Sequence, residues 1–222
     1  MTPERLAKLR AALLRRQPDL TVLADWVNKP HNISAILRSA DAVGIHRIHA
    51  ISASGAIRRH HMIAGGAKRY VEIALHPTID AALDTLEHEG WTLVAAHSGS
   101  PAHDFREVDY TAKVAIALGA ELQGPSPATM ERADIRVRIP MQGLGSSLNV
   151  SVAAGVILLE AERQRMAAGL YDRSRLEPEE FERTLFEWAY PDIAERCREL
   201  GRPYPALTED GLLASNPFAA PG

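Results

Sequence analysis

The chain has 222 residues and one cysteine, Cys197. No intrachain disulfide is possible, which fits a reducing compartment. No apolar run approaches the ~18 residues that suggest a membrane-spanning helix. The longest, residues 149–159, suits a buried helix. The opening Met1-Thr2-Pro3-Glu4-Arg5 lacks the apolar core of a secretory signal. A cytoplasmic protein without membrane contact is therefore expected. Several catalytic signatures are missing as well. No G-x-G-x-x-G follows the first predicted strand, which argues against a dinucleotide site. Residues 119–126 imitate a phosphate loop in spacing, but Pro125 stands where the lysine belongs. H-E-x-x-H, C-x-x-C and G-x-S-x-G do not occur. His60 and His61 are adjacent, which does not suit chelation from one helix face, so no metal is expected.

Carboxylates are locally scarce. The net charge is −3, but residues 1–17 hold Arg5, Lys8, Arg10, Arg15 and Arg16 against Glu4 alone. Residues 44–71 hold Arg47, Arg58, Arg59, Lys68 and Arg69 with no carboxylate. The acid-rich stretch 177–199 lowers the total. Local basic patches of this kind serve phosphate binding more than the net charge does, although each also reads as an ordinary solvated face.

What is present is an alternation of strands and helices. Leu6, Leu9, Ala12 and Leu13 predict an amphipathic helix over 3–16, ended by Pro18. Strands are predicted over 20–27, 45–51, 71–75, 91–96, 113–118 and 135–139. Helices are predicted from Ile33 to Gly44, over 78–88, over 147–168 and over 178–200. The Pro- and Ala-rich tail beyond Pro203 reads as loosely ordered. This order implies an α/β domain with a mostly parallel sheet, helices on both faces, and flanking terminal helices. The divisions are an N-terminal helical extension at 1–17, a core at 18–169, and a C-terminal helical extension and tail at 170–222. Ligands of open parallel sheets sit at the carboxyl ends of the strands. The informative loops are therefore 28–32, 97–112, 119–126 and 140–147.

Three segments stand out there. The first runs Asn28-Lys29-Pro30-His31-Asn32 and on to Arg38, with Asn32 placed to cap a helix. The second is Leu118-Gly119-Ala120-Glu121-Leu122-Gln123-Gly124, where a buried strand ends at a glycine free to turn sharply or approach a ligand. The third runs from Ile139-Pro140-Met141 through Gly143 and Gly145 to Ser147-Leu148-Asn149-Val150-Ser151-Val152-Ala153. It leads a small-residue loop into a helix N-terminus with free N–H groups. Singly, each has a plain reading: a capped helix with a solvated arginine, a tight turn with one acid, a core helix.

Together, and in this order, they resemble the signature of the SpoU/TrmH branch of the SPOUT methyltransferases. Arg15-Arg16-Gln17-Pro18-Asp19-Leu20, Asp104-Phe105-Arg106-Glu107-Val108-Asp109-Tyr110 and the stretch 160–169 are similar to its tRNA-modifying members. The resemblance covers most of residues 1–205. It implies a C-terminal trefoil knot, a homodimer whose active site draws on both subunits, and S-adenosylmethionine as cofactor. The implied reaction is methylation of a ribose 2′-hydroxyl in tRNA, at guanosine 18 of the D-loop. The alternatives are ribosomal RNA as substrate, or a catalytically silent RNA-binding protein. The implied cofactor pocket is Ala96, Leu118, Gly119, Ile139, Met141 and Leu148. Arg38 is the implied activator of the hydroxyl, held in place with the cofactor loop by Asn32, Glu121, Ser147 and Asn149. RNA is expected to be gripped by Arg10, Arg15, Arg16, Arg58, Arg59 and Lys68.

Overall fold

A computed structural model of the chain describes residues 1–27, 29–52, 69–99, 101–120 and 123–218. In chain order the elements are α1 (Pro3–Leu14), β1 (Leu20–Ala24), α2 (Pro30–Ala42), β2 (Arg47–Ile51), β3 (Glu72–His76), α3 (Ile79–His88), β4 (Thr92–Ala96), β5 (His103–Asp104), β6 (Val114–Leu118), α4 (Pro127–Arg132), β7 (Ile135–Arg138), α5 (Val150–Ala167), α6 (Pro178–Ala189) and α7 (Pro191–Glu199). They form two compact units. One is residues 17–170; the other joins residues 1–16 to 171–222.

The larger unit is built on a seven-stranded sheet in the order β3-β2-β1-β6-β4-β7-β5, with every neighbouring pair parallel. All seven strands therefore end at the same edge. The central strands β1 and β6 are buried along their whole length, as expected where helices cover both faces of a parallel sheet. Alternation sorts their side chains. Val22, Ala24, Ile116 and Leu118 face a core shared with Ile36 and Leu37 of α2 and Ile157 and Leu158 of α5. Leu23, Ala115 and Ala117 face the opposite core, with Ala82, Leu83 and Leu86 of α3. Helix ends follow local chemistry. Thr2, Thr78, Ser126 and Asn149 cap α1, α3, α4 and α5 through their side-chain oxygens. Gly44, Gly90 and Gly169 take the left-handed conformation just past α2, α3 and α5.

The structure departs from the sequence expectation in several places. The first strand stops at Ala24 rather than Val27, and α2 starts at Pro30, whose fixed φ suits a first helical turn. The expected 147–168 helix starts only at Val150. The two-residue β5 and six-residue α4 were too short to show a period. The expected 178–200 helix is two helices broken at Pro191, whose ring cannot continue the first. The tail is folded rather than loose. Leu207 bridges Leu213, and Tyr190 Oη donates to the Gly211 carbonyl at 2.7 Å. A Cβ on Gly211 would meet Leu6 Cδ2 at 2.9 Å, so this turn packs on α1.

One buried cation holds the base of the sheet. Arg165 of α5 is fully buried. Its Nε donates to Tyr110 O at 2.8 Å. Its Nη1 donates to Gln17 Oε1 at 3.0 Å and Asp19 Oδ1 at 2.6 Å. Its Nη2 donates to Asp19 O at 3.0 Å and Ala112 O at 2.7 Å. Five N–H groups thus meet five acceptors. Arg165→Ala leaves Asp19 without its cation and the two chain entries untied. The expected loss is ~3–5 kcal/mol in unfolding free energy, read by urea titration. Arg165→Lys should recover little, since an ammonium cannot present the planar fork.

A second polar pair lies between β2 and β3. His49 Nδ1 and His76 Nε2 are 2.9 Å apart and the rings stack at 5.2 Å. Burial, and then the charge of His76, hold the His49 pKa down to about 4. Burial lowers His76 as well. The unfolded chain, with a histidine pKa of about 6.5, takes up this proton first as pH falls. Stability is therefore unaffected by the pair above about pH 6.5 and declines between there and pH 4. Thermal melts at pH 7 and pH 5 should show the loss, and His49→Gln should make it smaller.

Candidate cofactor and RNA site

Loops from several strands converge at the carboxyl edge of the sheet. A cavity of about 250 Å³ lies beyond β4, β6 and β7. Ala96, Leu118, Gly119, Ile139, Met141 and Leu148 all line it, together with Ser147. Segments far apart in sequence are joined because β6 sits beside β4 and β4 beside β7. The walls mix apolar side chains and turning backbone, suited to a flat ring and a thioether, with polar groups from His97, Ser98, Gln123, Arg138, Ser146 and Ser147.

The sharpest constraint is at Gly119. A Cβ there would lie 1.8 Å from the Gly124 carbonyl carbon and 1.9 Å from Pro125 N. The loop turns back on itself, with Gly124 N–H donating to Ala120 O at 2.8 Å. Glycine is required here by the returning chain. Asp25, at the end of β1, fixes the outgoing side. Its N–H donates to Leu118 O at 2.9 Å, and its Oδ2 accepts from Ser126 N at 2.6 Å and Thr129 Oγ1 at 2.7 Å. Sequence reading did not single out Asp25, because its partners lie a hundred residues away. It also passed over His97 and Ile157 in the cavity wall, where Gln123 and Gly124 of the second segment join them. His97 leaves a trace in sequence only through glycines: a Cβ on Gly99 would meet its Nε2 at 2.5 Å, and one on Gly124 would meet its Nδ1 at 3.3 Å.

The first and third segments meet through two asparagines. Asn149 caps α5, its Oδ1 accepting from Ser151 N at 2.8 Å and Ser151 Oγ at 2.6 Å. Its Nδ2 donates to Asn32 Oδ1 at 3.3 Å. Asn32 is buried in the third position of α2 and is not its N-cap; Lys29 holds that position without a side-chain bond. The expected capping role is thus replaced by a tie between α2 and α5. Arg38 is exposed on α2 and does not line the cavity. Glu121 lies outside the described residues.

Of the expected RNA contacts, Arg15 is exposed and Arg10 half-buried. Arg16 is only 3% exposed, with its guanidinium 4.9 Å from the centre of the Trp188 ring. Arg16 packs within the smaller unit and does not offer its charge to a phosphate, a departure from the sequence expectation. Arg58, Arg59 and Lys68 lie outside the described residues. Among the described residues, no three His, Cys, Asp or Glu are grouped to hold a metal ion. Among them, too, no helix is long and apolar enough to cross a membrane.

Comparison with known proteins agrees with this geometry. The SpoU rRNA Methylase family model matches residues 19–159, and the SpoU, rRNA methylase, C-terminal model matches residues 163–216. The tRNA (guanosine(18)-2'-O)-methyltransferase of Thermus thermophilus is 47% identical over 187 residues, 84% of this chain and 96% of that one. The crystal structure of the TrmH/SpoU tRNA modifying enzyme of A. aeolicus superimposes with a TM-score of 0.77 at 41% identity, covering 86% of this chain and 97% of that one. The SpoU methyltransferase AviRb of Streptomyces viridochromogenes, solved in complex with AdoMet, gives a TM-score of 0.61 at 29% identity, over 69% of this chain and 64% of that one.

Because Gly119 touches backbone and not a movable side chain, Gly119→Ala must push the 119–125 loop into the cavity or away from it. Calorimetry with S-adenosylmethionine should show affinity lowered by at least about tenfold, ~1.4 kcal/mol. Far-UV circular dichroism should stay that of the wild type.

Proposed function

The chain belongs to the SpoU methylase family, and on that footing we propose that it transfers a methyl group from S-adenosylmethionine to the ribose 2′-hydroxyl of guanosine 18 in the tRNA D-loop. One observation carries the reading: the second and third signature segments close one cavity at the carboxyl edge of the sheet, and Asn32–Asn149 ties the first segment to it. When bound, the cofactor supplies an electrophilic methyl on a sulfonium, so that an O–C bond forms as the S–C bond breaks. The hydroxyl proton would pass to solvent water, and a neutral thioether would remain. No metal takes part in this reading.

The chain's own residues have three tasks. Leu118, Ile139, Met141 and Leu148 enclose the cofactor, with backbone at Gly119 and a small residue at Ala96. Asn32, Asn149 and Ser147 keep α2 and the cofactor loop in register. Arg38 meets the ribose and its phosphate. A guanidinium is a poor base, so it acts by stabilising negative charge developing on the oxygen.

Arg38 lies outside the cavity of its own chain, which suits a site shared by two copies. The outer face of α5 supports that arrangement. Val152, Leu159 and Met166 recur every seventh residue and are exposed, and Leu144 in the adjoining loop is 108% exposed. A helix apolar on both faces calls for a second partner, and we assign it to a second copy of this chain. The trefoil knot, a cytoplasmic location and an RNA-gripping role for the terminal helices belong to the same reading. With Arg16 enclosed, Arg10 and Arg15 remain as phosphate contacts in the smaller unit.

Arg38→Ala should lower turnover at least about a hundredfold, ~2.7 kcal/mol in barrier, while cofactor affinity changes little. Methyl incorporation into a tRNA transcript measures it, and near-normal turnover would refute the assignment. Leu159→Arg should shift the protein to a monomer in sedimentation and remove activity with it.

A further inference from the structure

Trp26 stands apart from the other tryptophans. Trp91 donates to Glu89 and lies under Lys113, and Trp188 is buried against Arg16. Among the described residues Trp26 has neither a hydrogen bond nor a cation partner, and it is 41% exposed. It is also the one described non-glycine residue with positive φ, at 56°. A bulky side chain in the left-handed region is an outlier, because its Cβ crowds the following carbonyl.

The neighbours explain how the conformation is held. Asp25 and Val27, on either side, are buried. Asp25 is anchored three times, by its N–H to Leu118 O and by Ser126 and Thr129 to its carboxylate. The chain must then reach Pro30, where α2 begins. With both flanking side chains turned inward, the left-handed step at Trp26 turns the indole outward. Strain maintained by surrounding structure points to a use for the side chain it displays. The place is informative too. Trp26 leaves β1 next to Leu118, a wall of the cofactor cavity, and precedes the helix that carries Asn32 and Arg38.

We propose that the Trp26 indole is a stacking platform for an unpaired base of the RNA substrate beside the target ribose. This rests on the RNA-methylating reading above. RNA is read through splayed bases stacked on aromatic faces, and a stacked base contributes a sequence-tolerant part of the affinity. Trp26 does not line the cavity, so it positions the nucleotide and makes no contact with the methyl group.

The test compares wild type, Trp26→Ala and Trp26→Phe with a tRNA transcript. Trp26→Ala should weaken transcript binding by about 5- to 100-fold, and Trp26→Phe by less than about threefold. Affinity for S-adenosylmethionine and the sedimentation coefficient should stay unchanged in both. Tryptophan emission of the wild type should be quenched by the transcript, and in Trp26→Phe most of that quench should vanish. Wild-type affinity in Trp26→Ala overturns the proposal, as does a quench retained in Trp26→Phe. Dissociation of Trp26→Ala into monomers overturns it differently, by placing the indole in a protein interface. If the wild type itself does not bind the transcript, the RNA reading falls and this proposal with it.

Discussion

The guanidinium of Arg165 is the constraint from which the larger unit is organised. It stands near the end of α5 and binds the chain entering β1, at Gln17 and Asp19, and the chain entering β6, at Tyr110 and Ala112. β1 and β6 are neighbours. Fixing their amino ends against α5 sets their relative register, and so the height at which their carboxyl ends open. The cavity at the far edge inherits its geometry from this clamp. Burying a charge is costly unless every donor is matched, and here each is matched.

The clamp also explains the motif at 104–110. Asp104 to Tyr110 forms a short turn against α5. Tyr110 Oη donates to Phe105 O at 2.9 Å, Gln164 Oε1 accepts from Tyr110 N at 2.9 Å, and Gln164 Nε2 donates to Val108 O at 3.0 Å. Adjacent residues of α5, Gln164 and Arg165, thus anchor the same stretch at the alternate carbonyls of Val108, Tyr110 and Ala112. A stretch that resembles the family's tRNA-modifying members serves the fold.

How much was legible beforehand depends on the range of the interaction. Strand and helix order followed from local periodicity and from glycines that stop helices, so Gly44, Gly90 and Gly169 were readable as they stood. All six cofactor-pocket residues line the cavity, but composition did not name them; the resemblance did. Periodicity identifies a loop after a strand, not the loop opposite it. Asp25 was invisible for that reason: a carboxylate ending a strand looks like any turn acid until Ser126 and Thr129 fold onto it. For Asn32 only the capping reading fails, because a polar side chain at a helix start has two outlets, its own backbone or a neighbouring helix, and only packing decides. Arg16 looked like surface charge because Trp188 is 172 positions away.

The site uses few charged groups close to the chemistry. The cofactor cavity is shaped by a glycine that tolerates no side chain, a carboxylate that clamps a loop, and paired amides between two helices. This economy has a physical reason. A sulfonium already carries the activation, so a pocket that held it with strong opposite charge would stabilise the bound cofactor more than the transition state. Among the described residues the cavity wall holds no carboxylate, so that penalty is avoided. The exposed position of Arg38 is consistent with this economy. A guanidinium proposed to meet a large anionic substrate gains by staying hydrated until that substrate arrives, because burying an unpaired charge beforehand is costly.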